Sequence, residues 1–155
     1  MASLEAGAMA PDIDLETDDG SRFKLSALGG SKVVVYFYPK DDTKGCTVEA
    51  IDFSGAADAF AAAGVTVVGI SPDTVKSHCK FRDKHDLKVR LAADPERTVI
   101  EAYGVWVEKS MYGRKYMGVE RATFLIGPDG RIAEAWHKVK VPGHVKAVLT
   151  AAKAL

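Results

Sequence analysis

The spacing of apolar and polar positions divides the chain into short elements. Residues 32–38 (KVVVYFY) and 65–70 (VTVVGI) are unbroken β-branched and aromatic runs, the mark of strands covered on both faces. Pro39 ends the first. Between them, from about Thr43 to Ala63, the pattern turns helical. Ile51, Phe53, Ala57, Phe60 and Ala61 form the predicted buried stripe, with Gly64 just past the helix end. Ser71-Pro72-Asp73 then caps a helix predicted over about 74–84. Upstream, 12–17 and 22–25 flank Asp18-Asp19-Gly20 as a hairpin. Downstream, 89–92 reads as a short strand and 96–103 as a short helix stopped by Gly104. The aromatic, glycine-bearing and basic stretch 105–118 suits a loop or an irregular strand pair. Residues 121–126 and 131–138 flank Gly127-Pro128-Asp129-Gly130 as a second hairpin, and Gly143 opens a closing amphipathic helix.

Strand–helix–strand–helix followed by a hairpin and a last helix predicts an α/β sandwich on a mixed sheet. Right-handed crossovers lay the first long helix over one sheet face. No repeat, linker or low-complexity run interrupts the order. Residues 1–155 therefore read as a single domain, long enough to bury one core.

Composition narrows the function classes. Twenty-one basic and twenty-one acidic residues cancel, leaving no basic field for a nucleic-acid partner. The opening MASLEAGAMAPDIDLET lacks the basic and long apolar regions of a signal peptide. The apolar runs are strand-sized and too short to span a membrane. A cytoplasmic location is the expectation, and structural disulfides are rare there. The two cysteines, Cys46 and Cys79, accordingly read as packing residues or as redox chemistry.

Cys46 lies in "YPKDDTKGCTVEA" (38–50), between a polar turn and a helix start. Four explanations stand: a small buried residue, half of a disulfide, a metal ligand, or a nucleophile. Free cysteine often only fills space, but the flanking Asp41, Asp42, Thr43, Lys44 and Gly45 place this segment toward solvent or a cleft. A metal site is poorly supported, with no CxxC. His78, His85, His137 and His144 show no ligand spacing, the first two being about two helical turns, or ~10 Å, apart. Pairing with Cys79 joins two different helices, and a disulfide needs Cα atoms within roughly 7 Å. The nucleophile has a physical basis. A helix N-terminus offers free N–H donors and the positive end of the macrodipole, which favour the reactive thiolate. Thr43 is within reach of the sulfur or a substrate oxygen, and Asp41 and Asp42 are expected to point to water.

The run Pro39-x-x-x-Thr43-x-x-Cys46 resembles the active-site motif of the peroxiredoxins. "YFYPKDDTKGCTVEA" resembles their peroxiredoxin Q branch, also called bacterioferritin comigratory protein. "GISPDTVKSH" (69–78), "KSMYGRKYMGVERATFLIGPDG" (109–130) and "HKVKVPGH" (137–144) extend the likeness along nearly the whole chain. The resemblance implies a thioredoxin-like fold, with a central mixed sheet flanked by helices and an N-terminal β-hairpin. It also implies thiol-dependent reduction of hydrogen peroxide and organic hydroperoxides, with no cofactor or metal. Cys46 would be the peroxidatic cysteine, passing to sulfenic acid. Thr43 would position the peroxide, Pro39 would limit water access, and Arg121, in "ERATFLI", would be the active-site arginine, holding thiolate and peroxide together. Glu49 reads equally as a helix-start carboxylate or a site residue. Tyr38, Met111, Tyr112, Tyr116, Met117 and Trp136 are candidates to line an apolar approach, or are core.

Two positions depart from the resembled pattern. Ile51 stands where many relatives carry a resolving cysteine, which leaves Cys79 as the internal candidate; its bland alternative is packing beside Val75. A Cys46–Cys79 disulfide would require both helices to loosen locally, and return through a thioredoxin-type dithiol reductant. Lys44 stands where relatives often have proline, a change expected to make the loop more mobile. The competing readings are a one-cysteine peroxidase served by an external thiol, with Cys79 inert, and a redox-sensing or chaperone module. A monomer is expected.

Overall fold

The computed structural model describes residues 4–155; the leader-peptide expectation rests partly on residues 1–3, outside the described residues. The chain opens on the hairpin of β1 (Asp14–Glu16) and β2 (Arg22–Lys24). It continues through β3 (Lys32–Phe37), α1 (Lys44–Gly55), α2 (Ala57–Ala62), β4 (Val65–Ser71), α3 (Val75–His85), β5 (Arg90–Ala93) and α4 (Thr98–Ala102). The hairpin of β6 (Trp106–Met111) and β7 (Arg114–Val119) follows, then β8 (Ala122–Ile126), β9 (Ile132–Trp136) and α5 (His144–Ala154). The main sheet has the order β5-β4-β3-β8-β9. β3 is central, parallel to β4 and antiparallel to β8, so the sheet is mixed as expected.

The alternation of KVVVYF explains why β3 sits in the middle. Val33, Val35 and Phe37 enter one apolar cluster with Ile70, Phe124, Ile100 and Tyr103. Val34, Tyr36 and Tyr38 enter the other with Phe53, Phe60, Phe81 and Val148. The second cluster shows that α1, α2, α3 and α5 cover one face; the first is closed by α4 and the residues around the hairpins. The N-terminal segment covers both sheet edges: Thr17 bridges Ala92 on β5, and Met9 bridges Arg131 beside β9.

Several expectations need correction. The helix expected over 43–63 is two, broken at Ala56, whose N–H is shared among the last carbonyls of α1. The buried stripe is also rotated: Cys46, Glu49, Ala50 and Phe53 face the core, while Ile51 is 46% exposed and Ala61 is exposed. The apolar pattern misled because a glutamate takes a core position. Thr74, not Asp73, caps α3, accepting from Ser77 N. Residues 106–119 form a regular antiparallel ladder rather than an irregular pair. Its turn, Tyr112-Gly113, has positive φ at both positions, the geometry of a type I′ hairpin turn.

Gly69 pairs with Tyr36, and the tyrosine ring lies over it. A Cβ at Gly69 would stand 2.5 Å from Tyr36 Cζ and 2.6 Å from its hydroxyl. Tyr36 is fully buried and stacked on Phe53, so it has nowhere to move. Gly69→Ala is expected to cost about 2 kcal/mol through overpacking, lowering Tm by roughly 4–8 °C. Thermal denaturation checks this; an unchanged Tm would show that the ring relocates freely.

Candidate functional site

β3 ends at Phe37, and Tyr38 prolongs its pairing with β4 by donating its N–H to Ile70 O (3.1 Å). Pro39 then turns the chain away. The loop 39–43 leads into α1, with Thr43 as N-cap in extended conformation. The Thr43 hydroxyl does not cap the helix. It donates to Lys40 O at 2.8 Å, leaving its lone pairs able to accept a proton donor. Lys44 is the first residue of α1, the position that proline pre-organises best. Cys46 is the third, within the turn whose N–H groups have no intrahelical acceptor. Although its neighbours 41–45 are polar, the thiol itself turns inward. It is 1% exposed and joins the apolar cluster with Ala50, Phe53 and Tyr38.

Arg121 reaches this thiol from the far side of the chain. The pairing of Phe37 with Ala122 sets the start of β8 beside the end of β3, and Arg121 immediately precedes β8. Its Nη2 donates to Cys46 Sγ at 3.4 Å and its Nη1 to Glu49 Oε1 at 2.8 Å. One guanidinium therefore spans a sulfur and a carboxylate one turn apart on α1. Burial disfavours its charge, but the Cys46 sulfur and Glu49 outweigh that and hold the guanidinium above its ordinary value. Gly45 makes room: a Cβ there would lie 3.0 Å from Arg121 Nη2.

Glu49 is the member whose position the sequence left open. It is fully buried, and its Oε2 has no partner among the described residues. Burial pushes its carboxyl up to about 7, against the pull of Arg121.

Lys109, on β6, is a second cation that sequence reasoning missed. Its stem runs over Gly118, whose absent Cβ would meet Cδ at 3.3 Å. Burial and the charge of Arg121 lower its pKa, while Cys46 and Glu120 act the other way. No local pattern marks it, because its placement depends on the β6–β7 register. His144, the first residue of α5, is buried and bonded to Thr123 Oγ1 (2.8 Å). Burial, then Arg121, hold it neutral, with a pKa lowered to about 4.

The two aspartates of the loop divide. Asp42 is exposed and pairs with Lys84 Nζ (2.7 Å) and His85 Nε2 (2.9 Å). Asp41, expected in water, is buried: it accepts from Tyr38 Oη (2.6 Å) and Ser77 Oγ (2.8 Å) and pairs with His78 Nδ1 (2.7 Å). It is drawn inward by three polar partners that local sequence does not reveal.

Of the candidate lining residues, Tyr38 and Trp136 belong to the cluster that holds Cys46. Met111 and Tyr112 do not line the site: the ladder carries them to the hairpin tip, 56% and 98% exposed. Tyr116 and Met117 are exposed as well. Cys79 is a free thiol, half-buried, and donates to Asp18 O at 3.2 Å. It faces the β1–β2 turn.

The chain is similar to known proteins along nearly its whole length. A model of the AhpC/TSA family matches residues 6–135. The chain is 45% identical over 151 residues to peroxiredoxin Bcp of Bacillus subtilis, covering 97% of this chain and 96% of the relative. Xanthomonas campestris peroxiredoxin Q superposes with a TM-score of 0.90 at 42% identity, over 97% of this chain and 98% of that one. The same figures hold for a trapped intermediate/ligand complex of the Xanthomonas campestris bacterioferritin comigratory protein, studied for its alkyl peroxide reduction activity.

Proposed function

The chain belongs to the AhpC/TSA family and is a thiol-dependent peroxidase of the peroxiredoxin Q kind, and on that premise we propose that Cys46 is its peroxidatic residue. The observation that carries the assignment is the fork of Arg121 on Cys46 Sγ and Glu49. A guanidinium beside the sulfur favours thiolate and has donors to spare for a peroxide oxygen. The thiolate attacks the terminal oxygen of ROOH. The S–O bond forms as the O–O bond breaks, sulfur is oxidised to sulfenic acid, and the expelled RO⁻ takes a proton from solvent to leave as ROH. Thr43 Oγ1, its own proton committed to Lys40 O, accepts the hydroperoxide O–H and aims it. Pro39 shields the approach.

Cys79 is the resolving residue in this reading. Its thiolate attacks Cys46 Sγ, the S–S bond forms, and the sulfenic oxygen leaves as water after taking a proton. A thioredoxin-type dithiol then reduces the disulfide. Alkyl hydroperoxides join hydrogen peroxide as substrates, supported by the apolar cluster behind the sulfur. The Cys46–Arg121–Glu49 constellation is complete within one chain, which supports a monomer. The reading places this chemistry in the cytoplasm, where thiols are kept reduced. No helix among the described residues is long and apolar enough to cross a membrane.

Thiol titration after one equivalent of hydrogen peroxide tests the scheme, with peptide mapping under non-reducing conditions. Two thiols lost per peroxide and a Cys46–Cys79 peptide are expected. Loss of one thiol, with Cys46 left as sulfenic acid or a mixed disulfide, would assign resolution to an external thiol. Unaltered thiols would remove Cys46 from the chemistry.

A further inference from the structure

The loop before Cys46 grips the helix that carries Cys79. Asp41 holds the start of α3 through Ser77 Oγ and His78 Nδ1, and its own N–H donates to Asp73 Oδ2 (2.8 Å) on the approach to that helix. Asp42 holds the end of α3 through Lys84 and His85. Cys79 is the next residue after His78, between the two grips. His78 is fully buried, with Nε2 on Ala92 O (3.0 Å). Both ring nitrogens face oxygen acceptors. The Asp42 pairs are exposed and weak. The Asp41 cluster is buried, and a charged group buried there without its partner is strongly disfavoured.

We propose that the Asp41 cluster is a latch coupling the two cysteines, so that unwinding of the chain at Cys46 frees α3 and releases Cys79 for resolution. The proposal rests on the reading of Cys79 as resolver. Oxidation supplies the trigger. A thiolate at the head of α1 is held by the helix N-terminus and Arg121. Sulfenic acid is neutral, carries an extra oxygen where Cys46 is already only 1% exposed, and loses those attractions. As the first turn of α1 loosens, the 41–45 segment moves with it and withdraws Asp41. His78 is left without its carboxylate, and the helix that bears Cys79 loses its buried polar tie to the loop. Asp41 and His78 are positioning residues for the second half-reaction; neither touches the reacting atoms.

Stopped-flow tryptophan fluorescence after one equivalent of hydrogen peroxide separates the bimolecular oxidation from the first-order formation of the disulfide. Removing one hydrogen bond with Ser77→Ala is expected to speed the first-order step roughly fivefold; Asp41→Asn is expected to speed it tenfold or more. In each variant, amide exchange along α3 in the reduced protein should accelerate by a similar factor, and more peroxide should be needed to overoxidise Cys46. Ser77→Ala touches a single half-buried hydroxyl and carries the test if Asp41→Asn does not fold. A wild-type disulfide that forms at the same rate in the variants, with unchanged exchange in α3, would overturn the latch alone. Absence of any Cys46–Cys79 disulfide in the wild type would instead overturn the resolver reading, and the latch's part in resolution with it.

Discussion

Replacing Arg121 with methionine is expected to slow the second-order reaction of Cys46 with hydrogen peroxide by about 10²–10³-fold, the scale of losing a donor aimed at developing charge. In the proposed mechanism the guanidinium acts on both ends of the reaction: it faces the sulfur at 3.4 Å and is held from behind by Glu49. Methionine keeps the length of the side chain and most of its apolar contact but supplies no donor. Lysine restores the charge without the planar fork, so Arg121→Lys should recover only part of the rate. Gly45→Ala tests the same contact from the other side. Its methyl would crowd Arg121 Nη2 at 3.0 Å and should cost roughly tenfold, between wild type and methionine. Stopped-flow kinetics at one pH, beside alkylation by iodoacetamide, gives the control. Alkylation involves no peroxide oxygen and should fall much less. An Arg121→Met protein reacting within a few-fold of wild type would remove the arginine from the mechanism.

Glu49→Gln is expected to match wild-type stability near pH 4.5 and to exceed it increasingly as the pH rises. The carboxyl moves from 4.5 to about 7 on folding, because burial outweighs the attraction of Arg121. A raised folded-state value means that the native protein binds more protons than the unfolded chain between those two pH values. Stability therefore falls as pH climbs through that window and levels off above about 7. The full loss is on the order of 3 kcal/mol, and glutamine, which cannot ionise, escapes it. The glutamine oxygen still accepts from Arg121 Nη1, so the fork is kept. Denaturant unfolding of both proteins at pH 4.5, 6, 7 and 8.5 reads the difference, in which contributions from other carboxylates cancel. A gap independent of pH would mean that Glu49 stays ionised throughout.

The sheet was legible because the strand runs at 32–38 and 65–70 have no polar face to misplace, and Asp18-Asp19-Gly20 and Gly127–Gly130 mark turns by chemistry alone. The phase of α1 was not legible. Ile51 invites burial and Glu49 forbids it, yet Arg121, 72 residues away, reverses both. Pro39, Thr43 and Cys46 share one loop and helix start, and their spacing could be read as a unit. Arg121 came from resemblance, since nothing near it in sequence announces a thiol. Lys109 and the inward turn of Asp41 depend wholly on packing between elements distant in sequence, and so left no local trace. Met111 and Tyr112 were misplaced for a related reason. Aromatic and methionine residues look like lining until the hairpin register puts them at its tip.

The antiparallel pairing of β3 with β8 has a consequence for the life of the chain before it is complete. Cys46 and the first turn of α1 are made early in synthesis, but the arginine that attends the sulfur arrives 75 residues later. In the proposed mechanism a nascent or unfolded chain therefore carries a cysteine without its arginine, and fast reactivity is expected only when the last strands close the sheet. On the proposed role of Cys46, peroxide consumption is in that sense a report of completed folding, and a chain stalled before β8 is spared premature oxidation of its thiol.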